Sequence, residues 1–295
     1  MFTNTTYFLK QVFVPVFFFS STTVFSQTII TVTDSNLHGW IKHELYLGKI
    51  RFANGPSKPP LHKGSLEFNA PVNGHGRQVR MRTDGYLGVL LSSITQLSYS
   101  TFVQKAGSKR DVPLLVLLVD IDDDGIEDYH FSFDPRFQNP KDTTGIPTNF
   151  GWYKPKKMND KAIRWQYPIR QKVWQTWDAL HGGWFTWTTR EKTFDTRPPM
   201  YSFSAFIAKH PNARIVNDKY GGGVRIQAGG IPMADNFLGN ADAFTIGING
   251  KTTIYDFELG KDTVHKRRKH STHHALNYNK KANKTNDRYI RRTAP

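Results

Sequence analysis

The 295-residue chain contains no cysteine. That excludes disulfides and thiolate-held metals, so the fold depends on core burial, with a bound ion as the remaining aid. Long hydrophobic runs are also missing. The apolar run Val12–Phe19 is eight residues, far short of the roughly 18–20 that cross a bilayer as a helix. Catalytic signatures are scarce in the same way. There is no Gly-x-Ser-x-Gly elbow, no His-Glu-x-x-His helix and no phosphate-binding loop, so the commonest hydrolase, zinc-protease and nucleotide-binding classes have no local support. The Glu-x-Asp-x-x-Glu strand of laminarinase-type glycosidases is absent too. Asp134, Asp178, Asp195 and Asp242 are isolated acids that spacing alone does not pair for glycoside hydrolysis.

Acidic residues are few as well, 24 against 40 Lys and Arg, which gives a formal charge of +16. The excess is uneven: residues 261–295 carry eleven Lys and Arg against Asp262 and Asp287. This basic segment has almost no large apolar side chains, so we expect a disordered tail able to contact polyanions. At the other end, Lys10, the apolar run and the sequence Val24-Phe25-Ser26 read as a signal peptide of residues 1–26, cleaved before Gln27. Export to the cell exterior or surface follows as an expectation, with residues 27–260 forming one domain.

That domain punctuates like an antiparallel β protein. Thr28–Val32 is a β-branched run, and alternating segments follow at 64–68, 78–82, 98–103 and 129–133. Pro113 to Val119 is continuously apolar, as a strand buried on both faces would be. Asn249-Gly250 separates two alternating runs, 243–248 and 252–257, and predicts a tight hairpin because both turn positions need positive φ. One short helix is expected over Ser202 to Lys209, with Phe203, Phe206 and Ile207 on one face and Pro211 beyond its end. The predicted fold class is an all-β, two-sheet antiparallel sandwich of jelly-roll type with one short helix.

Three features carry chemistry. Asp120-Ile121-Asp122-Asp123-Asp124-Gly125-Ile126-Glu127-Asp128 places carboxylates at positions 1, 3, 5 and 9 and glycine at position 6. This is the pattern of a calcium loop, with Asp120, Asp122, Asp124 and Asp128 as candidate ligands of a structural Ca²⁺. Position 12 is Phe131, so the loop is not an EF-hand. Five of seven tryptophans fall between Trp165 and Trp187. Exposed Trp rings stack on the apolar faces of sugars, which makes Trp174, Trp177, Trp184 and Trp187, with Asp178, candidate glycan contacts; core packing is the competing role. Finally, Arg225 and Gln227 alternate in Gly223–Gln227 so as to share one strand face, as in lyase-type polysaccharide sites.

Several phrases occur in a familiar order: Ser35–Trp40, Val173–Asp178, Gly182–Trp184, Phe206–Ala213, Asn240–Gly247 and Tyr255–Glu258. Together they resemble a group of exported, mostly uncharacterised bacterial domains with concanavalin A-like jelly rolls, often surface-anchored. The resemblance covers about residues 28–258 and implies a two-sheet sandwich in which the Asn-Gly hairpin returns beside the first strand. No obvious C-terminal anchor accompanies it here. The functional expectation is a secreted, non-catalytic carbohydrate-binding or adhesive protein whose partner is extracellular polysaccharide or cell-surface glycan. A polysaccharide lyase or glycoside hydrolase on the same scaffold is the alternative.

Overall fold

The computed structural model describes residues 26–45, 47–71, 78–106, 111–138, 169–188, 200–229 and 236–260. The expected signal peptide up to residue 25, the basic tail 261–295 and Trp165 lie outside the described residues. Fifteen strands follow in chain order: β1 (Ser26–Val32), β2 (Trp40–Glu44), β3 (Lys49–Asn54), β4 (Gly64–Ala70), β5 (Gln78–Thr83), β6 (Ile94–Ala106), β7 (Leu114–Asp120) and β8 (Tyr129–Phe133). After these come β9 (Trp174–Asp178), β10 (Gly183–Thr188), β11 (Met200–Ser202), β12 (Arg214–Ile215), β13 (Val224–Gly229), β14 (Phe237–Ile248) and β15 (Lys251–Phe257). The single helix among the described residues, α1 (Phe203–Lys209), follows β11.

The strands form two sheets, as the hydrophobic patterning predicts. In the first, β14 is the long axis. Along one side it pairs β4 through Phe237–Ala241 and then β15 through Phe244–Ile248; along the other it pairs β6, which in turn pairs β9. β1 lies parallel to β15, Ser26 opposite Lys251, so the hairpin does return beside the first strand. Its turn residues, Asn249 (φ 49°) and Gly250 (φ 79°), both adopt positive φ, the requirement that made Asn-Gly diagnostic. The second sheet runs β11-β10-β8-β7-β13-β5-β2, with β12 on the end of β7.

The sheets bury their facing side chains against each other. Trp40 of β2 meets Phe244, Tyr255 and Phe257 of the opposite sheet edge-on, at 5.5, 5.3 and 5.5 Å. Such pairs contribute about 0.5–1.5 kcal/mol each beyond area burial. At the other end of the second sheet, α1 begins where Ser202 Oγ accepts the Ala205 amide at 3.0 Å. It places Phe206 on Phe131 (4.2 Å between centroids) and stops before Pro211. The 64–68 segment differs from its alternating pattern: all five residues of that stretch are buried, because polar groups there find partners rather than water. Asn240 Nδ2, for example, donates to Ser65 Oγ at 3.0 Å.

One irregularity positions later chemistry. Between Asp242 and Thr245 the β14–β6 register shifts, and Ala243 takes φ 53°. Such a bulge re-aims the neighbouring side chain. Asp242, fully buried, accepts the Phe257 and Leu61 amides, each at 3.2 Å. Burial nonetheless pushes its carboxyl up to about 7.

Candidate functional site: a basic face on the second sheet

Alternation fixes the two faces of the second sheet. Val79, Met81 and Thr83 of β5 and Val224, Ile226 and Ala228 of β13 are buried toward the first sheet. The intervening side chains therefore lie on the outer face. Strand register sets these in rows. Gln227 stands opposite both Leu114 and Arg80, and Arg80 opposite His43. In the next row Arg225 stands opposite Val116 and Arg82, and Arg82 opposite Ile41. Neighbours in such rows have Cα atoms about 4.5–5.5 Å apart, so three arginines, a histidine and a glutamine share one small field.

The loop after β12 walls this field. Val216 packs on Val116 and Leu118, and Arg225, itself fully buried, holds the rest. Its Nε donates to the Gly222 carbonyl at 2.7 Å, and its Nη2 donates to Gly221 O at 3.1 Å and to Asp218 Oδ2 at 2.6 Å. Gly221 and Gly222 take φ near +80°, and a Cβ on Gly222 would lie 2.6 Å from the Arg82 side chain. Only glycine lets the backbone approach this closely. The loop thereby presents Tyr220, exposed, with its ring 6.4 Å from that of His43 and Lys219 Nζ 5.0 Å from its centroid.

Charge crowding perturbs the groups it encloses. Burial first, then the Arg225 and Arg82 charges, lower Arg80 to about 10, against the pull of Asp218 and Glu127. His43 is lowered by burial first and then by Arg82, Arg80 and Arg225. Its Nδ1, like Arg82 Nε, is buried and meets no hydrogen-bond partner among the described residues. Buried donors without a partner among the described residues, set beside several guanidiniums, are what an anion completes.

The sequence-selected residues fall into separate places. Trp184 is a core residue, not a surface contact: it is fully buried, and its Nε1 donates to Ala179 O at 2.7 Å. Trp177 is buried likewise, with Nε1 on Thr101 Oγ1 at 2.8 Å. Both rings carry more apolar area than surface strands of this kind leave exposed. Trp174 is half-buried against Phe102 and donates to Pro56 O at 2.8 Å. Asp178 is exposed on the first sheet, joined to His181 Nδ1 at 2.7 Å. The Trp187 backbone pairs His130 in β10, and its side chain lies outside the described residues. Arg225 and Gln227 do share the outer face, but Arg225 is committed to the loop. Arg80, Arg82, His43 and Tyr220 were missed, although Arg80-Met81-Arg82 on an alternating strand was a signal of two cations on one face.

The aspartate loop follows β7 as the spacing predicts. Asp120 Oδ1 accepts the amides of Asp122 (3.0 Å) and Asp123 (2.7 Å), and Oδ2 accepts that of Gly125 (2.9 Å). Carboxylate oxygens of Asp120, Asp122 and Asp124 lie within 4.8 Å of one another. Asp128 instead turns to the Ile121 amide at 2.9 Å, outside that trio. Desolvation first, and then the neighbouring acids, push the Asp122 carboxyl upward. Replacing Asp120 with alanine would leave three loop amides without their anion. The expected loss is about 3 kcal/mol of unfolding free energy in calcium-free urea titration.

Comparison of the chain with protein-family models, with curated proteins and with solved structures finds no match in any of the three.

Proposed function

We propose that this is an exported, non-catalytic carbohydrate-binding protein whose ligand is an anionic polysaccharide held on the outer face of the second sheet. The observation that carries the reading is the Arg80–Arg82–His43–Gln227 field, in which the buried His43 Nδ1 and Arg82 Nε meet no hydrogen-bond partner among the described residues. Guanidinium groups recognise carboxylate and sulfate in bidentate fashion, while the exposed Tyr220 ring offers a stacking surface for a sugar. The glycan contact expected at the tryptophans thus moves to the strands β2, β5 and β13. Calcium at Asp120, Asp122 and Asp124 has a structural role, closing the loop between β7 and β8.

Retention on immobilised polyuronate and on a neutral glucan tests the reading. The wild type should bind the polyuronate with a steep salt dependence and pass through the glucan. Arg80→Gln with Arg82→Gln should weaken binding about a hundredfold, roughly tenfold per charged hydrogen-bonding group lost. Deleting residues 261–295 should leave that difference in place. Equal retention on both polymers, or a double variant that binds like the wild type, would sink the proposal.

Affinity should also depend on pH with a defined sign. The Arg80, Arg82 and Arg225 charges and burial hold His43 neutral to lower pH than a free imidazole, and only Asp218 opposes them. A bound polyanion favours the imidazolium, so binding should tighten as pH falls below neutrality, and go on tightening below the ordinary imidazole range. His43→Gln should flatten that dependence in the same retention assay.

A second reading, lyase chemistry on the same face, has one observation in its favour: a neutral imidazole beside guanidiniums and near the Tyr220 ring. His43 would take the proton next to a uronate carboxylate neutralised by arginine and pass it to the glycosidic oxygen as the carbon–oxygen bond breaks, leaving a double bond in the sugar. Unsaturated oligosaccharides in the supernatant decide for the enzyme, and their absence decides for the binder. Calcium is checked separately: adding CaCl₂ to EDTA-stripped protein should raise the Tm of the wild type and leave that of Asp122→Ala unchanged.

A further inference from the structure

The second cluster of interest lies on the first sheet, at the seam where β14 exchanges β4 for β15. The segment 56–63 crosses the outer side of this seam, and four hydrogen bonds fix it there. Leu61 N donates to Asp242 Oδ2 (3.2 Å), Lys63 N and Gly64 N donate to Glu258 Oε1 (2.9 and 2.6 Å), and Trp174 Nε1 donates to Pro56 O (2.8 Å). β4 begins so close to β15 that a Cβ on Gly64 would lie 2.6 Å from Glu258 Cα. The crossing brings His62 Nδ1 to within 2.6 Å of Asp256 Oδ2. His62 Nδ1 or Nε2 and one carboxylate oxygen each from Asp256 and Glu258 lie within 4.8 Å of one another.

Charge is out of balance here. Asp242 and Asp256 are fully buried, Glu258 is half-buried, and the one cation-capable partner that an ion pair gives them among the described residues is His62. Asp256 points its carboxylate into the cluster, yet its buried Oδ1 has no hydrogen-bond partner. A wholly buried carboxyl oxygen with no partner is costly unless a cation completes it.

We propose that His62, Asp256 and Glu258 bind a borderline divalent cation of the Zn²⁺ type. One imidazole with two carboxylates matches zinc's preference for mixed nitrogen and oxygen donors, whereas calcium takes oxygen alone. Metal–ligand bonds of about 2.0–2.2 Å need donor atoms about 3 Å apart. The exposed His62 side chain has to draw back by less than an ångström from Asp256, and water completes the shell from the solvent side. The ion would clip the 56–63 segment onto β15. This site is independent of the basic face, which lies on the other sheet.

The test uses EDTA-stripped, full-length protein, with Tm and calorimetric titration read with and without ZnCl₂. The histidines at 265, 270, 273 and 274 are present in wild type and variants alike, so the difference between them isolates the seam. Zinc should raise the wild-type Tm. His62→Ala should abolish that rise and weaken one binding event by at least the tenfold or so that losing even an outer partner costs a metal site. Glu258→Gln keeps an oxygen for the Lys63 and Gly64 amides and should weaken zinc equally, which covers the case in which His62→Ala itself perturbs the segment. A wild type without a zinc-dependent Tm rise, or variants that retain it, would overturn the site. A larger rise with CaCl₂ than with ZnCl₂ would overturn the assignment of metal.

Discussion

Trp184→Ala is expected to destabilise the protein by about 3–5 kcal/mol, the range for truncating a buried large aromatic. The ring is fully buried, stacked 4.6 Å from Phe131, with Phe203 at 5.4 Å and Phe133 at 5.7 Å. Its Nε1 also ties β10 to the tight turn before it, at Ala179 O. Truncation removes the ring from a cluster joining β8, β10 and α1, and neighbours that are themselves aromatic and rotamer-bound cannot collapse into the space. A domain of this size has a total stability of about 5–15 kcal/mol, so one substitution removes a large share of it. Urea unfolding should show the midpoint falling with an unchanged slope. Were Trp184 a sugar contact, the opposite pair of results would appear: unaltered stability and lost polysaccharide retention.

That contrast shows where sequence reasoning reached and where it stopped. The Asn249-Gly250 turn, the short helix before Pro211 and the buried run before Asp120 were legible because their causes are local: positive φ, an apolar helical face with a proline beyond it, and an unbroken apolar stretch. Which tryptophans face the core is decided by which strands lie beneath them. Trp177 and Trp184 lie on different sheets, and no spacing between them encodes that. The β-bulge at Ala243 is equally silent, since nothing in Ala-Asp-Ala-Phe announces a positive φ. His62 and Asp256 are 194 residues apart, so the seam cluster exists only once β4 and β15 meet beside β14. The aspartate loop is the intermediate case: its spacing was readable, but the chain's own amides occupy Asp120 and draw Asp128 away from the trio. For the basic face, the alternation of Arg225 and Gln227 was read correctly, and the identity of Arg225's partner was not.

That partner makes Arg225→Met the second substitution with a large expected effect. Methionine approximates the length of the arginine stem and fills the buried site, but it removes three directional donor contacts from the 216–223 loop: the Gly221 and Gly222 carbonyls and Asp218 lose their common anchor. Breaking one side of a buried pair costs about 3–5 kcal/mol, because the remaining group stays desolvated and unpaired. The pH dependence identifies the cause. Burial opposes ionisation of Asp218, but the hydrogen bond and charge of Arg225, the Tyr220 amide and Arg80 outweigh it and hold its carboxyl below the usual aspartate range. A folded-state value below the unfolded one gives stability that is full above the unfolded value, about 4, and is lost as pH falls through the folded value. Wild-type stability should therefore drop below about pH 4 more steeply than that of Arg225→Met. Polyuronate retention at pH 7 should fall in the same variant, because the loop that presents Tyr220 beside His43 is no longer held against Arg82. A variant that loses stability while retaining full affinity would show that the loop takes no part in binding and would confine the contact to Arg80, Arg82 and Gln227.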